Sequence, residues 1–84
     1  YTNAIILSIK DLLMENDVRK KIGERIRHFR MKKGISQEEL SFQSDLHRTY
    51  ISDIERGVRN VSIVNIKKIA TALGISVSEL TKGL

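Results

Sequence analysis

The sequence predicts an all-α fold, a compact arrangement of five helices with an additional N-terminal helix. Apolar residues recur three and four positions apart along most of the chain, as they do on the buried face of a helix. Several of these segments begin after a residue that can cap a helix and end at a glycine. The chain of 84 residues contains no proline, so no helix interior is interrupted. Its length allows one small domain with a modest core.

Residues 1–16 form the predicted N-terminal extension. Ile5, Ile9, Leu12 and Leu13 trace one face of a helix at this end of the chain. That apolar face can pack on the core of the same chain, meet a second copy, or mark the end of a linker. The sequence alone does not distinguish among these three alternatives.

The main domain is expected over residues 17–84. Asp17 can cap its first helix, Val18 to Lys33, and Gly34 can end it. Ile22, Ile26 and Phe29 have the spacing of a core stripe. Eight of the fifteen Lys and Arg residues lie on this one helix: Arg19, Lys20, Lys21, Arg25, Arg27, Arg30, Lys32 and Lys33. This basic surface is either a solvated face or a flank that meets phosphate groups.

The stretch SQEELSFQSDLHRTYISDIERG, Ser36 to Gly57, predicts two helices joined by a tight turn. Ser36 can cap the first helix together with Glu39 three residues later. The turn falls at Gln43–Asp45, where aspartate tolerates a left-handed backbone. The second helix runs from His47 to Arg56, and Gly57 can stop it.

The second of these helices has two distinct faces. Ile51 and Ile54, with Leu46 before them, can share the buried side. The opposite side carries Arg48, Thr49, Ser52 and Asp53. A helix with this chemistry can enter the major groove of DNA. The alternative is an ordinary amphipathic helical hairpin.

The last third of the chain predicts two more helices after a loop, Val58–Asn60. Ser62 can cap a helix that continues to Leu73, and Gly74 can end it. Its expected buried residues are Ile63, Ile66, Ile69, Ala70 and Leu73. Ser76 and Glu79 form a capping box for a short final helix that contains Val77 and Leu80.

The composition argues against an enzyme or a membrane protein. The sequence contains no cysteine, and its two histidines are nineteen positions apart, far from metal-ligand spacing. It has no glycine-rich phosphate loop and no apolar run long enough to cross a membrane. We therefore expect no catalytic, metal, cofactor or small-molecule site, and no membrane partner. A net charge of +5 favours an anionic partner, and a chain without cysteine suits a cytoplasmic location.

The segment from Ser36 to Gly57 resembles the helix-turn-helix of phage-repressor-type (Cro/repressor, XRE-like) regulators. The string LHRTYISDIERGVRN is most similar to the controller proteins of restriction–modification systems. This resemblance covers about residues 18–80 and implies a transcriptional regulator that binds double-stranded DNA. It also implies a homodimer on a palindromic operator, with the dimer surface in the last two helices, Ser62–Leu84. Ile75, Val77 and Leu80 are candidates for that surface, with core packing as the alternative.

The resemblance assigns roles to individual side chains. Arg48 is expected to contact a guanine through two hydrogen bonds, and Thr49 a thymine methyl group or a phosphate. Tyr50 and Ser52 are expected at phosphates or base edges, and Gln37, Arg59 and Asn60 at the phosphate backbone. His47 either caps the helix or reaches a phosphate. Asp53 either accepts from cytosine or pairs with Arg56.

One further expectation rests on the resemblance alone. Arg30 matches a family arginine that pairs with a glutamate of the recognition helix, here Glu55. Two other classes of function remain open at this point. The chain can be the DNA-binding module of a larger enzyme, such as a DNA methyltransferase, or an antitoxin-like protein-interaction domain.

Overall fold

A computed structural model describes residues 2–84 of the chain, with side chains from residue 17 onward. It contains five helices: α1 at Thr2–Lys33, α2 at Gln37–Ser44, α3 at Arg48–Glu55, α4 at Ile63–Leu73 and α5 at Val77–Thr81. The described residues form no β-strand. The predicted all-α fold is therefore confirmed.

The N-terminal helix is continuous with the first helix of the domain, so the predicted break at Asp17 is wrong. α1 runs through this position without interruption. The Asp17 carboxylate lies 3.1 Å from Lys21 Nζ, an i,i+4 pair that supports the interior of a helix. No glycine or proline precedes Gly23, so nothing in the sequence ends the helix earlier. The side chains of Ile5, Ile9, Leu12 and Leu13 lie outside those that the structure describes, and their role stays a prediction.

Serine hydroxyl groups cap three of the helices as the sequence predicts. The oxygens of Ser36, Ser62 and Ser76 accept hydrogen bonds of 3.0, 3.1 and 2.9 Å from the backbone N–H groups three residues later. At the turn between α2 and α3, Asp45 adopts the left-handed conformation with φ of 57°. Leu46 N–H then donates to Ser41 O at 3.0 Å, which closes the turn. The angle between the two helices is thus set by local chemistry.

The core lies where the five helices meet. Its buried members come from every helix: Ile22, Ile26, Leu40, Ile51, Ile54, Ile66, Ile69, Ala70, Ala72, Leu73 and Leu80. Phe29, Leu46, Ile75 and Val77 are partly buried against them. Burial of these side chains is the main stabilising contribution available to a chain of this size.

Two residues differ from their expected places. Ile63 is 71% exposed, although its spacing predicted a buried position. It is the first residue of α4, one turn before Ile66, the first buried residue of that helix, so it extends beyond the core. Leu80 was a candidate for a dimer surface, but it is fully buried within the chain, so the core alternative is correct for it.

α1 and α3 approach each other closely at Gly23. A Cβ atom at this position would lie 2.7 Å from the carbonyl oxygen of Glu55 and would also overlap that of Ile54. Both carbonyl groups belong to backbone, which cannot move aside as a flexible side chain can. Only glycine therefore allows this distance between the two helices, and the contact fixes the C-terminal end of α3 against α1.

Basic side chains of α1 hold the ends of the last two helices. Arg25 donates to Leu80 O at 2.7 Å and to Glu79 O at 2.5 Å, both at the end of α5. Lys33 donates to Ala72 O at 2.6 Å, near the end of α4. Cations are favourable at these positions because the last carbonyl groups of a helix carry partial negative charge. Part of the basic surface of α1 thus has a structural role.

Candidate nucleic-acid interface

The outer face of α3 is polar, as its sequence predicts. Arg48 and Thr49 are exposed in its first turn, and Ser52 is half-buried one turn later. Ile51 and Ile54 on the opposite side are buried in the core. The exposed side chains are therefore free to meet a ligand while the apolar side holds the helix in place.

A shallow polar groove forms between the start of α2 and α3. The side chains along it are Gln37, Arg48, Thr49, Ser52, Asp53 and Arg56. The groove unites four of the predicted site residues, one from α2 and three from α3. Gln37 and Arg48 are eleven positions apart in the sequence, so the turn at Asp45 brings them to one surface.

A buried ion pair joins α3 to α1. Arg30 Nε lies 2.7 Å from Glu55 Oε2, and Arg30 Nη2 lies 3.0 Å from Glu55 Oε1. The two side chains are 13% and 3% exposed, so this pair is shielded from water. The Glu55 hydrogen bond raises the pKa of Arg30, although burial acts in the opposite direction. The expected pairing of these two residues is confirmed.

The same carboxylate also joins α2 to α3. Gln37 Nε2 donates to Glu55 Oε1 at 3.2 Å. Arg30 Nη1 donates to the carbonyl oxygen of Ile35 at 2.9 Å, just before α2 begins. One Glu55 side chain therefore connects α1, α2 and α3, and it leaves the Gln37 oxygen and its second amide hydrogen for other partners.

His47 does not cap α3, so that alternative for its side chain is wrong. The residue occupies the N-cap position with extended backbone, but its side chain makes no capping hydrogen bond. The imidazole nitrogens lie farther from the backbone than the oxygen of serine or aspartate, which makes the short capping bond difficult. The side chain is exposed beside Arg48. A contact between His47 and a phosphate stays a prediction.

Tyr50 lies at the edge of this surface and is tied to α4. Its ring is partly buried against the core, and its Oη accepts a 2.9 Å hydrogen bond from Asn65 Nδ2. The Arg59 guanidinium lies over the ring, 4.8 Å from its centroid. Tyr50 and Arg59 were each predicted from the sequence as site residues, but Asn65 was not. No local pattern points to Asn65, because its contact spans fifteen positions.

The loop after α3 is held by charged side chains. Asp53 Oδ1 accepts from Arg56 Nη2 at 2.6 Å, and Asp53 Oδ2 lies 3.8 Å from Arg59 Nη1. The expected pairing of Asp53 with Arg56 is thus present. Asn60 Oδ1 accepts from Arg19 Nη1 at 3.5 Å. The loop containing Arg59 and Asn60 is therefore linked to both α3 and α1, close to the polar groove.

The chain matches the family model described as helix-turn-helix over residues 26–80. It is 54% identical over 68 residues to control protein C.BamHI of Bacillus amyloliquefaciens, a match that covers 80% of this chain and 84% of the relative. It is 48% identical over 66 residues to control protein C.MunI of a Mycoplasma species, covering 77% and 89%. Residues 26–80, matched by the family model, contain every predicted site residue.

Solved structures of other proteins have a fold similar to that of this chain. The fold is similar to that of the restriction-modification controller protein C.AhdI from Aeromonas hydrophila, with a TM-score of 0.73 and 55% identity. That match covers 74% of this chain and 94% of C.AhdI. A hypothetical transcription factor from Neisseria matches with a TM-score of 0.74 and 45% identity, covering 80% of this chain and 77% of that protein.

The buried ion pair generates a prediction about stability. Removal of either Arg30 or Glu55 leaves the other charge buried without its partner, which costs about 3–5 kcal/mol in such settings. We expect Arg30→Ala and Glu55→Ala each to lower the free energy of unfolding, measured by urea denaturation. The double variant should lose less than the sum of the two single losses. Strictly additive losses would contradict a direct coupling between the two side chains.

Proposed function

The chain belongs to the helix-turn-helix family, and from this we propose that it is a sequence-specific regulator of transcription. It binds double-stranded DNA as a homodimer and acts as the controller of a restriction–modification system. The observation that carries this proposal is the polar groove that Gln37 lines together with the exposed first turn of α3. The similarity to C.BamHI and C.AhdI supports the controller role.

The dimensions of α3 suit a helix that contacts base edges in the major groove of DNA. A helix with its side chains is about 10–12 Å across, and the major groove of B-DNA is about 12 Å wide. Arg48 and Thr49 lie at the N-terminal end of α3, which is the end that meets base edges in this class of domain. Arg48 has the planar fork that matches O6 and N7 of guanine. Thr49 meets a thymine methyl group or a phosphate, and Ser52 a base edge.

Phosphate contacts surround this reading end. Gln37 is the first residue of α2, where backbone N–H groups and the helix dipole favour an anion. His47 is the N-cap residue of α3, and Arg59 lies in the loop that follows α3. Asn60 adds an amide beside Arg59. These side chains set the register of α3 on the duplex, while Arg48 and Thr49 read the sequence.

Salt dependence tests this function. A dimer with roughly 6–10 phosphate contacts should lose about 10³–10⁵ in affinity between 50 and 200 mM salt. A fluorescence-anisotropy titration with duplexes selected from random DNA measures this loss, and a scrambled duplex gives the non-specific reference. A flat salt response, or no binding, would contradict the proposal and favour the protein-interaction alternative.

A substitution at Arg48 tests the assignment of base reading. Arg48→Ala should cost about 1–3 kcal/mol on the cognate duplex and relax the preference at one position of each half-site. The control is Lys32→Ala, because Lys32 is an exposed basic residue of α1 away from the polar groove. It should weaken cognate and scrambled duplexes equally or leave both unchanged. Equal losses on both duplexes for Arg48→Ala would assign that side chain to the phosphate backbone.

The homodimer follows from the small size of the reading surface. One α3 meets only a few base pairs, too few to select one site in a genome. Two copies related by a two-fold axis read half-sites about 34 Å apart. The proposed dimer surface lies in residues 62–84, where Ile75 and Val77 are only partly buried within one chain. The apolar face of residues 5–13 is the competing location.

Two matched substitutions test this location. Val77 and Ile63 each form the first residue of a helix after a serine cap, where aspartate favours the helix. Val77→Asp should therefore convert the dimer to a monomer in sedimentation and keep the helical circular dichroism signal. Ile63→Asp should leave the dimer intact. Dissociation by Ile63→Asp would move the surface from Ile75 and Val77 to the start of α4, and dissociation only by Ile5→Asp would place it in residues 5–13.

A further inference from the structure

Asn65 occupies a position that its own helix does not explain. It lies in the first turn of α4, where an acidic residue is more favourable than an amide. Its backbone N–H is already capped by Ser62 Oγ at 3.1 Å, so the side chain is not needed for capping. The side-chain amide instead donates to Tyr50 Oη at 2.9 Å across fifteen positions of sequence.

The direction of that hydrogen bond decides what Tyr50 can do. A phenol has one hydrogen to donate and oxygen lone pairs to accept. Because Asn65 Nδ2 is the donor, the Tyr50 hydroxyl accepts there and keeps its own hydrogen for another acceptor. The ring is partly buried against the core, which restricts the position of the hydroxyl group.

A second donor is held against the same ring. The Arg59 guanidinium lies 4.8 Å from the ring centroid, and its Nη1 also lies 3.8 Å from Asp53 Oδ2. The oxygens of a phosphodiester group only accept hydrogen bonds. The Tyr50 hydroxyl and the Arg59 guanidinium are neighbouring donors, so together they can bind such a group. Each side chain is restrained before DNA arrives, which lowers the entropic cost of the contact.

We propose that Asn65 is a positioning residue that fixes Tyr50 so that its hydroxyl donates to a DNA phosphate beside Arg59. This inference rests on the proposed function, because the phosphate belongs to the bound duplex. Asn65 does not itself touch DNA. Its amide sets both the place of the hydroxyl and the direction in which the hydroxyl can donate.

Asn65→Asp is the test, since it keeps the size of the side chain and reverses the hydrogen bond. A carboxylate only accepts, so it takes the Tyr50 hydrogen that the phosphate needs. Aspartate is favourable in the first turn of α4, and the fold should be retained in circular dichroism. We expect the affinity for the cognate duplex to fall about tenfold or more per protomer, the size of a hydrogen bond to a charged group.

The matched control is the same change in the Tyr50→Phe background. Phenylalanine has no hydroxyl, so Asn65→Asp then reports only the added negative charge near DNA. The inference requires a clearly larger loss with tyrosine present than with phenylalanine. Asn65→Ala gives a second cycle without an added charge, so its loss should vanish with Tyr50→Phe. Equal losses in the two backgrounds would overturn the positioning role.

The design separates this inference from the proposed function. If the unaltered protein binds duplex DNA with the expected salt dependence and the cycles are additive, only the role of Asn65 is wrong. If the unaltered protein does not bind duplex DNA, the proposed function fails and this inference fails with it. A purely structural role for Asn65 predicts a lower free energy of unfolding and additive losses of affinity.

Discussion

The placement of the recognition helix depends on one carboxylate, that of Glu55. It accepts two hydrogen bonds from Arg30 and one from Gln37, so α1, α2 and α3 meet at a single buried group. A buried charge without its partners is costly, which allows few other arrangements of these three helices. The close approach at Gly23 fixes the same end of α3 through backbone contact. Charge and shape thus restrict α3 at its C-terminal end, whereas Arg48 and Thr49 at its N-terminal end are exposed.

The basic residues divide into two groups with different tasks. Arg25, Arg30 and Lys33 bind carbonyl or carboxylate oxygens within the chain. Arg30 is paired with a carboxylate, whereas Arg25 and Lys33 donate to the last carbonyl groups of helices, and all three stabilise helix ends or helix positions. Arg48 is exposed in the first turn of α3. A net charge of +5 therefore says less about DNA binding than the location of the few cations that face the polar groove.

Most of the fold could be predicted because its signals are local. Serine caps, the left-handed Asp45 and the spacing of Ile51 and Ile54 each act within one turn of helix. The failures at Asp17 and His47 have local causes, whereas the positions of Ile63 and Asn65 depend on residues distant in the sequence. Asp17 can cap a helix or continue one, and Ile63 has the spacing of a core residue but extends past the core. Asn65 has no local signal, since its partner is fifteen positions away.

The polar groove combines fixed and exchangeable contacts. Glu55 is 3% exposed, so its bonds to Arg30 and Gln37 are shielded from water. The Asp53 pairs are different, because Arg56 is 64% and Arg59 is 54% exposed. Exposed pairs contribute only about 0–1 kcal/mol, so either arginine can leave Asp53 at little cost. The buried network therefore fixes the position of α3, whereas the exposed pairs restrain the two arginines only weakly.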